Sequence, residues 1–170
     1  RSYRCLHFHG SISPWALPLA LVPALVQRPD WCMDIYGYAI GHQEHLDDLL
    51  RAANAAGIGE RLRFHGAQPN SALHGFLTNA DAAFAGFRPY PFNLNHTLID
   101  GASNKLNEYA WHGLPTLVPD DVPLDGFPDA LTIRYSRNDS NSMVSALDAA
   151  MEKKIDLRWR PKDFLTVCRE

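Results

Sequence analysis

Apolar residues fall in short runs and helical stripes that alternate along the chain, separated by clusters of Gly, Pro, Ser and Asn. Tyr3 to His9 mixes aromatic, aliphatic and Cys residues and reads as a first buried strand that stops at Gly10-Ser11. Ser13-Pro14, a capping hydroxyl before a proline at the first helical position, predicts a helix over Trp15 to Gln27, bent or broken by Pro18 and Pro23. Cys32 to Tyr38 is a second strand ending in the loop Ala39-Ile40-Gly41-His42. Leu46, Leu49, Leu50 and Ala53 then form one stripe of a helix over Glu44 to Ala56, closed by Gly57. Arg61 to His65 reads as a third strand, Gly66-Ala67-Gln68-Pro69 as its loop, Ser71 to Asn79 as a short helix and Ala82 to Phe87 as a fourth strand.

A long loop rich in Pro, aromatics and Asn runs from Arg88 to Ile99, a length that suggests function or disorder. After it come a helix over Asn104 to Trp111, a left-handed stop at Gly113 and a buried strand over Leu114 to Val118. Pro119 to Pro128 is turn-rich, Leu131 to Tyr135 is a sixth strand, Ser140 or Ser142 caps a helix through Met151, and Trp159 to Val167 is a last helix. This alternation predicts an α/β fold: a Rossmann-like, doubly wound, mainly parallel sheet of about six strands with helices on both faces and its ligand at the carboxyl ends of the strands. The loops that fall at that edge are Gly10-Ser11, Ile40-Gly41-His42, Gly66-Ala67-Gln68, Arg88 onward, and Asp100 to Lys105.

Composition narrows the function. At 170 residues and 46% hydrophobic the chain suits one domain, and no apolar run is long enough to span a bilayer. Sixteen Lys plus Arg against nineteen Asp plus Glu lack the basic excess of a nucleic-acid binder. Cys5, Cys32 and Cys168 are odd in number without C-x-x-C spacing, which fits a reducing cytoplasm better than a disulfide framework. The start of the chain has no signal-peptide succession and reads as that of an excised domain. The two sequons, at Asn95 and Asn138, therefore carry little weight. Serine-hydrolase, P-loop and G-x-G-x-x-G motifs are missing. His42 and His45 stand three apart, but no further ligands converge on them, and a loop and helix start is the better reading than a metal site. His7 and His9 share one face of the first strand, where His9 can meet a phosphate or be a satisfied sheet histidine. The aromatic loop Phe87 to Phe92 can stack a sugar or cover its own apolar surface.

The densest chemistry lies between Asp100 and Val118. Asp100-Gly101-Ala102 is small and flexible, Ser103 can cap the helix that follows, and a helix mouth with free N–H groups and a positive dipole end suits a phosphate. Glu108 lies one turn after Asn104, and its side chain leans back toward that mouth, where a carboxylate can accept both hydroxyls of a ribose.

This stretch resembles the donor-binding signature of retaining GT-B glycosyltransferases, whose two acidic residues are separated by seven others. The likeness rests on Gly101-Ala102-Ser103-Asn104-Lys105, Glu108-Tyr109-Ala110 and Gly113-Leu114-Pro115, with Asp100 where Glu is commoner. It implies that the chain is the C-terminal, donor-binding half of a GT-B enzyme, with Asp100 as the catalytic contact to the transferred sugar and Glu108 on the nucleotide ribose. It places His65-Gly66 against the base by backbone contacts. Family members commonly hold the pyrophosphate with an Arg and a Lys after the first strand, and here that segment is Gly10-Ser11-Ile12-Ser13-Pro14-Trp15. Phosphate charge must then be met by the Gly10 and Ser11 amides, the mouth at Ser103, and Lys105 or Arg88. Gly41 completes the expected donor-binding set.

The implied reaction moves a hexose from a nucleoside diphosphate sugar to an acceptor hydroxyl, with no metal or other cofactor required. The acceptor, whether sugar, lipid or another hydroxyl compound, would bind an N-terminal domain absent from this chain, and the full-length protein could associate peripherally with a membrane. The rival readings are a sugar-nucleotide epimerase of the same architecture and a non-catalytic nucleotide-binding or regulatory module.

Overall fold

The computed structural model describes residues 3–87, 104–124 and 127–153. In chain order these form β1 (Arg4–Ser11), α1 (Leu21–Gln27), β2 (Trp31–Tyr38), α2 (Gln43–Ala55), a 3-10 turn (Gly59–Arg61), β3 (Leu62–Gly66), α3 (Asn70–Thr78) and β4 (Ala82–Phe84). They continue with α4 (Asn104–Trp111), β5 (Thr116–Pro119), β6 (Thr132–Tyr135) and α5 (Ser140–Glu152). The expected loop from Arg88 to Ile99 and the expected helix from Trp159 to Val167 lie outside the described residues, as do Asp100, Gly101, Ala102, Ser103 and Cys168.

All six strands pair in parallel in the order β3-β2-β1-β4-β5-β6. Order reverses between β1 and β4, so connections from these two strands leave in opposite directions and open a crevice at their carboxyl ends. Leu6 and Phe8 of β1, Trp31, Met33 and Ile35 of β2 and Phe84 of β4 bury on one face among the apolar residues of α1, α2 and α5. Ala83 and Ala85 pack on the other face with Leu77 of α3 and Leu106, Tyr109 and Ala110 of α4. Helices cover both faces, as the doubly wound pattern requires.

Three local expectations differ from the structure. The segment after Ser13-Pro14 makes a turn and not a helix. Ser13 Oγ accepts from the Ala16 amide at 3.3 Å, and helix begins only at Leu21. Pro18 has no N–H to extend a helix through that turn, whereas Pro23 sits in the first turn of α1, where a missing N–H costs nothing. At the other end of the chain Asp139, not Ser140 or Ser142, caps α5, accepting from the amides of Asn141 and Ser142 at 2.9 and 3.2 Å. Ser142 Oγ instead accepts from the Ser136 amide at 2.8 Å. β1 also continues past His9 through Gly10 to Ser11, paired with Gly37 and Tyr38. A Cβ on Gly37 would fall 1.9 Å from the Gly10 carbonyl oxygen, so these strands reach the crevice side by side only with glycine there. Gly113, at φ 63°, ends α4 in the left-handed conformation expected of it.

Candidate functional site

The carboxyl ends of β1 and β2, the β3–α3 loop and the start of α4 enclose a cleft of about 370 Å³. β1 contributes His9 and Gly10, β2 contributes Tyr36, Gly37 and Tyr38, and the loop with the start of α3 contributes Ala67, Gln68, Asn70 and Leu73. α4 contributes Asn104, Lys105 and Glu108. Helical spacing aims these three together while Leu106, Tyr109 and Ala110 bury beneath them.

Lys105 is partly buried, its Nζ 5.1 Å from the ring centroids of both Phe8 and Phe87. It stands 3.6 Å from the point where a Cβ on Gly10 would lie. Burial pulls its ammonium down to about 8. Its charge thus fills the neighbourhood of Gly10 and Ser11 at the end of β1, the place that lacks a basic residue in sequence.

Glu108 is held from the strand side. His9 Nε2 lies 2.7 Å from its Oε2, out of line with it, so that this buried oxygen keeps no aligned hydrogen bond. His9 Nδ1 is 3.0 Å from His7 Nε2. The Tyr109 hydroxyl accepts from the His9 amide at 3.3 Å and donates to the Phe84 carbonyl at 3.5 Å, tying α4 to β1 and β4. Burial lowers His7 to about 3. Burial, with the charge of Lys105 beside it, lowers His9 to about 4. Both rings are neutral at pH 7, while burial raises the Glu108 carboxyl.

Farther from the crevice the same face carries a second polar cluster. Asp34 accepts from Arg63 at 2.7 and 2.8 Å, from Cys5 Sγ at 3.1 Å and from His65 Nε2 at 2.7 Å. Burial pushes its carboxyl up, but these partners outweigh it and hold the group below the usual range. Cys5, Cys32 and Asp34 place one sulfur, one sulfur and one oxygen within 4.8 Å of one another, a spacing compatible with a metal. The positive charge in that cluster is Arg63, whose Nη2 also reaches Cys32 Sγ at 3.1 Å. Hydrogen bonding from Cys32, then burial and Asp34, push the Cys5 thiol well up, which opposes the thiolate that a metal needs.

Of the positions expected from sequence, the structure brings Gly10, Asn104, Lys105 and Glu108 into one cleft. Ser11 lines an adjoining cavity of about 370 Å³ on the other side of Lys105, together with Trp15, His42 and Phe87. Gly41 lies apart, on the rim of a depression beside His42 and His45. His45 faces the Leu17 carbonyl at 2.8 Å and His42 meets Trp15 edge-on at 5.0 Å, so these two histidines have separate structural partners. The His65 ring binds Asp34 and stacks on Tyr36 at 4.6 Å, and its carbonyl accepts from Gln68 Nε2 at 2.9 Å. Ala67 and Gln68, just beyond His65-Gly66, are the loop residues that line the cleft. Arg88, Asp100, Gly101, Ala102 and Ser103 lie outside the described residues. Sequence reasoning missed Tyr36, Gly37, Tyr38, Asn70 and Leu73. The end of β2 could have been suspected from its place beside β1, but only the register sets Gly37 against Gly10.

No protein-family model and no curated protein sequence matches the chain at a significant level. Solved structures do match. HepE from Anabaena, in complex with UDP and glucose, superposes with a TM-score of 0.67 at 18% identity over 89% of this chain. A glycosyltransferase from Rickettsia africae does so with a TM-score of 0.68 at 12% identity, also over 89%. The architecture is one half of a GT-B glycosyltransferase fold. This chain spans 39% and 38% of the length of those two proteins. It spans 75% of the C-terminal domain of the group 1 glycosyl transferase LpcC from Francisella tularensis, at TM-score 0.64 and 15% identity. Among the described residues no helix is long and apolar enough to cross a membrane.

Proposed function

We propose that this chain is the nucleotide-sugar-binding half of a retaining GT-B hexosyltransferase. The observation that carries the reading is that a lysine and a glutamate one turn apart on α4 face one cleft at the carboxyl ends of β1 and β2, Lys105 beside Gly10 and Glu108 beside His9. A cation at a helix start and the amides around it suit a diphosphate, and a carboxylate beyond them suits a ribose. The HepE structure with UDP and glucose supports a uridine nucleotide as one candidate donor. Asp100 is assigned to the transferred sugar, and Ser11, His65, Gly66, Arg88 and Gly101 to Ser103 complete the donor-binding set, with no metal, while Gly41, which lies apart beside His42 and His45, is left out of it. The acceptor hydroxyl would come from a second domain, with the full-length protein working in the cytoplasm in carbohydrate biosynthesis. Without that domain the chain should bind donor and transfer nothing, because nothing holds an acceptor at reacting distance.

Calorimetry against UDP-, GDP- and ADP-sugars and the bare diphosphates tests the reading. Saturable binding of one series is expected, and failure of all of them would reject it. The missing basic residue after β1 favours a second reading, a degenerate binding module. That reading is separated by assaying the full-length parent with labelled donor and a broad acceptor mixture. Donor incubated without acceptor tests the epimerase, by the appearance of an isomer.

A further inference from the structure

We infer that His9, itself held by His7, is a positioning residue for Glu108, fixing the carboxylate that is to receive a ribose. The inference rests on the nucleotide reading above and adds to it a reason for two histidines beneath the cleft. A glutamate on a helix surface loses rotamer freedom when a ligand fixes it, a cost that a preset orientation removes in advance.

The presetting is visible in the chain of contacts. Glu108 Oε2 is sealed from solvent against His9 Nε2 at 2.7 Å, although the side chain as a whole is 40% exposed. His9 cannot turn freely, since it is 8% exposed, packs edge-on to Tyr109 at 5.1 Å and meets His7 at 3.0 Å. His7 is fully buried and stacks on Tyr36 at 5.1 Å.

Neutral rings carry one N–H each, and this fixes the direction of the chain. For His9 to offer N–H from Nε2 to the carboxylate, its Nδ1 must be bare and must accept from His7 Nε2–H. His7 Nδ1 is then the bare atom, and it is the ring atom that has no partner among the described residues. An unmatched lone pair is the cheaper vacancy at the buried end, because buried N–H groups are seldom left orphaned. Donation therefore runs from His7 to His9, and His9 turns its remaining N–H toward the Glu108 carboxylate 2.7 Å away. With Oε2 turned inward against His9 and closed to solvent, Oε1 remains for the ligand, and its two lone pairs suffice for two neighbouring hydroxyls.

The test compares UDP, GDP and ADP with their 2′-deoxy forms on the full chain. In the wild type the ribonucleotide that binds should exceed its deoxy form by about tenfold. His9→Phe should bring that ratio close to one, whereas His9→Gln, whose amide nitrogen reaches the place of Nε2, should keep most of it. Equal weakening of both forms in His9→Phe, with the ratio intact, would overturn the inference and leave His9 a packing residue. Imidazole 15N spectra read the contact without any ligand: both rings should show the Nε2–H tautomer, and Glu108→Leu should release His9 into a mixture. A wild-type His9 protonated at Nδ1, or one indifferent to Glu108→Leu, rejects the positioning contact itself. Failure of every nucleotide to bind, with the tautomers as expected, rejects the nucleotide reading, and the ribose role falls with it.

Discussion

Alternate residues of the same strands go to two different environments. On one face Leu6, Phe8, Trp31, Met33, Ile35 and Phe84 are fully buried against α1, α2 and α5. On the other, β1 and β2 present Cys5, His7, His9, Cys32, Asp34 and Tyr36. The first set removes apolar surface from water and stabilises the fold by about 1.5–3 kcal/mol for each large side chain. The second holds titratable groups at reduced exposure, which costs free energy unless every group is partnered. A strand with period two can thus serve stability and chemistry at once, provided that a one-residue slip is prevented. Here the Gly10 and Gly37 approach sets that register at the cleft.

The sharpest way to break the contrast is on the apolar face. Phe84 is fully buried and lies 5.0 Å from the ring of Tyr135. Phe84→Ala should cost about 3–5 kcal/mol in urea denaturation, with nucleotide affinity of the folded fraction unchanged. A cost below about 1 kcal/mol would mean that this face is not the core on which the fold depends.

On the polar face acid should be the strongest perturbant. An unfolded chain binds protons at His7 and His9 below about 6.5. The folded chain resists until about 3 and 4. The unfolded state therefore binds more protons in that window, and stability falls as pH drops from about 6.5 toward 4. The ceiling is about 1.4 kcal/mol per pH unit for each ring. Urea midpoints at pH 7, 6 and 5 should fall in step, and His7→Phe should flatten the decline. Equal midpoints at pH 7 and 5 would show that the rings charge without opposition.

This division also explains how much was legible in sequence. Six apolar runs separated by helical stripes announce a parallel, doubly wound sheet, because burial on both faces leaves its mark on every strand. Glu108 and Lys105 were visible because a helix spaces them within one turn of each other. The misread parts depend on choices that local pattern does not decide. Ser13-Pro14 suits a helix start as well as a turn, and Pro18 tips the balance. Asp139 competes for the α5 cap with Ser140 and Ser142, and the demand of the Ser136 amide draws Ser142 away. The contact of His9 with Glu108 joins residues 99 positions apart, and it follows from the packing of α4 on β1 rather than from any spacing.

Glu108→Ala sharpens the contrast in the opposite sense. It should weaken nucleotide binding by about 1.5–3 kcal/mol, the range for a charged hydrogen bond, and leave the melting temperature unchanged. Burial raises this carboxyl, so removing it takes away no net support of the fold. Normal affinity for every nucleoside diphosphate, with normal melting, would withdraw the ribose assignment.

The smallest expected effect is also the most specific. If Lys105 is retained for a diphosphate and not for the fold, Lys105→Met should stabilise the protein while weakening diphosphate binding. Methionine can fill the space between Phe8 and Phe87, keep contact with both rings and bury no charge. A gain of about 0.5–2 kcal/mol is expected at pH 7, reduced by whatever the two ring contacts now return to the ammonium. The pH dependence separates this cause from better packing. Folding lowers the lysine to about 8 from an ordinary 10.5, so the cost of its charge is complete below 8 and fades between 8 and 10.5. The advantage of the Lys105→Met variant over the wild type should therefore shrink across that interval, whereas a packing gain would persist through it. Destabilisation by Lys105→Met at pH 7 would show instead that the ammonium, held over two aromatic rings, belongs with the residues that maintain the fold.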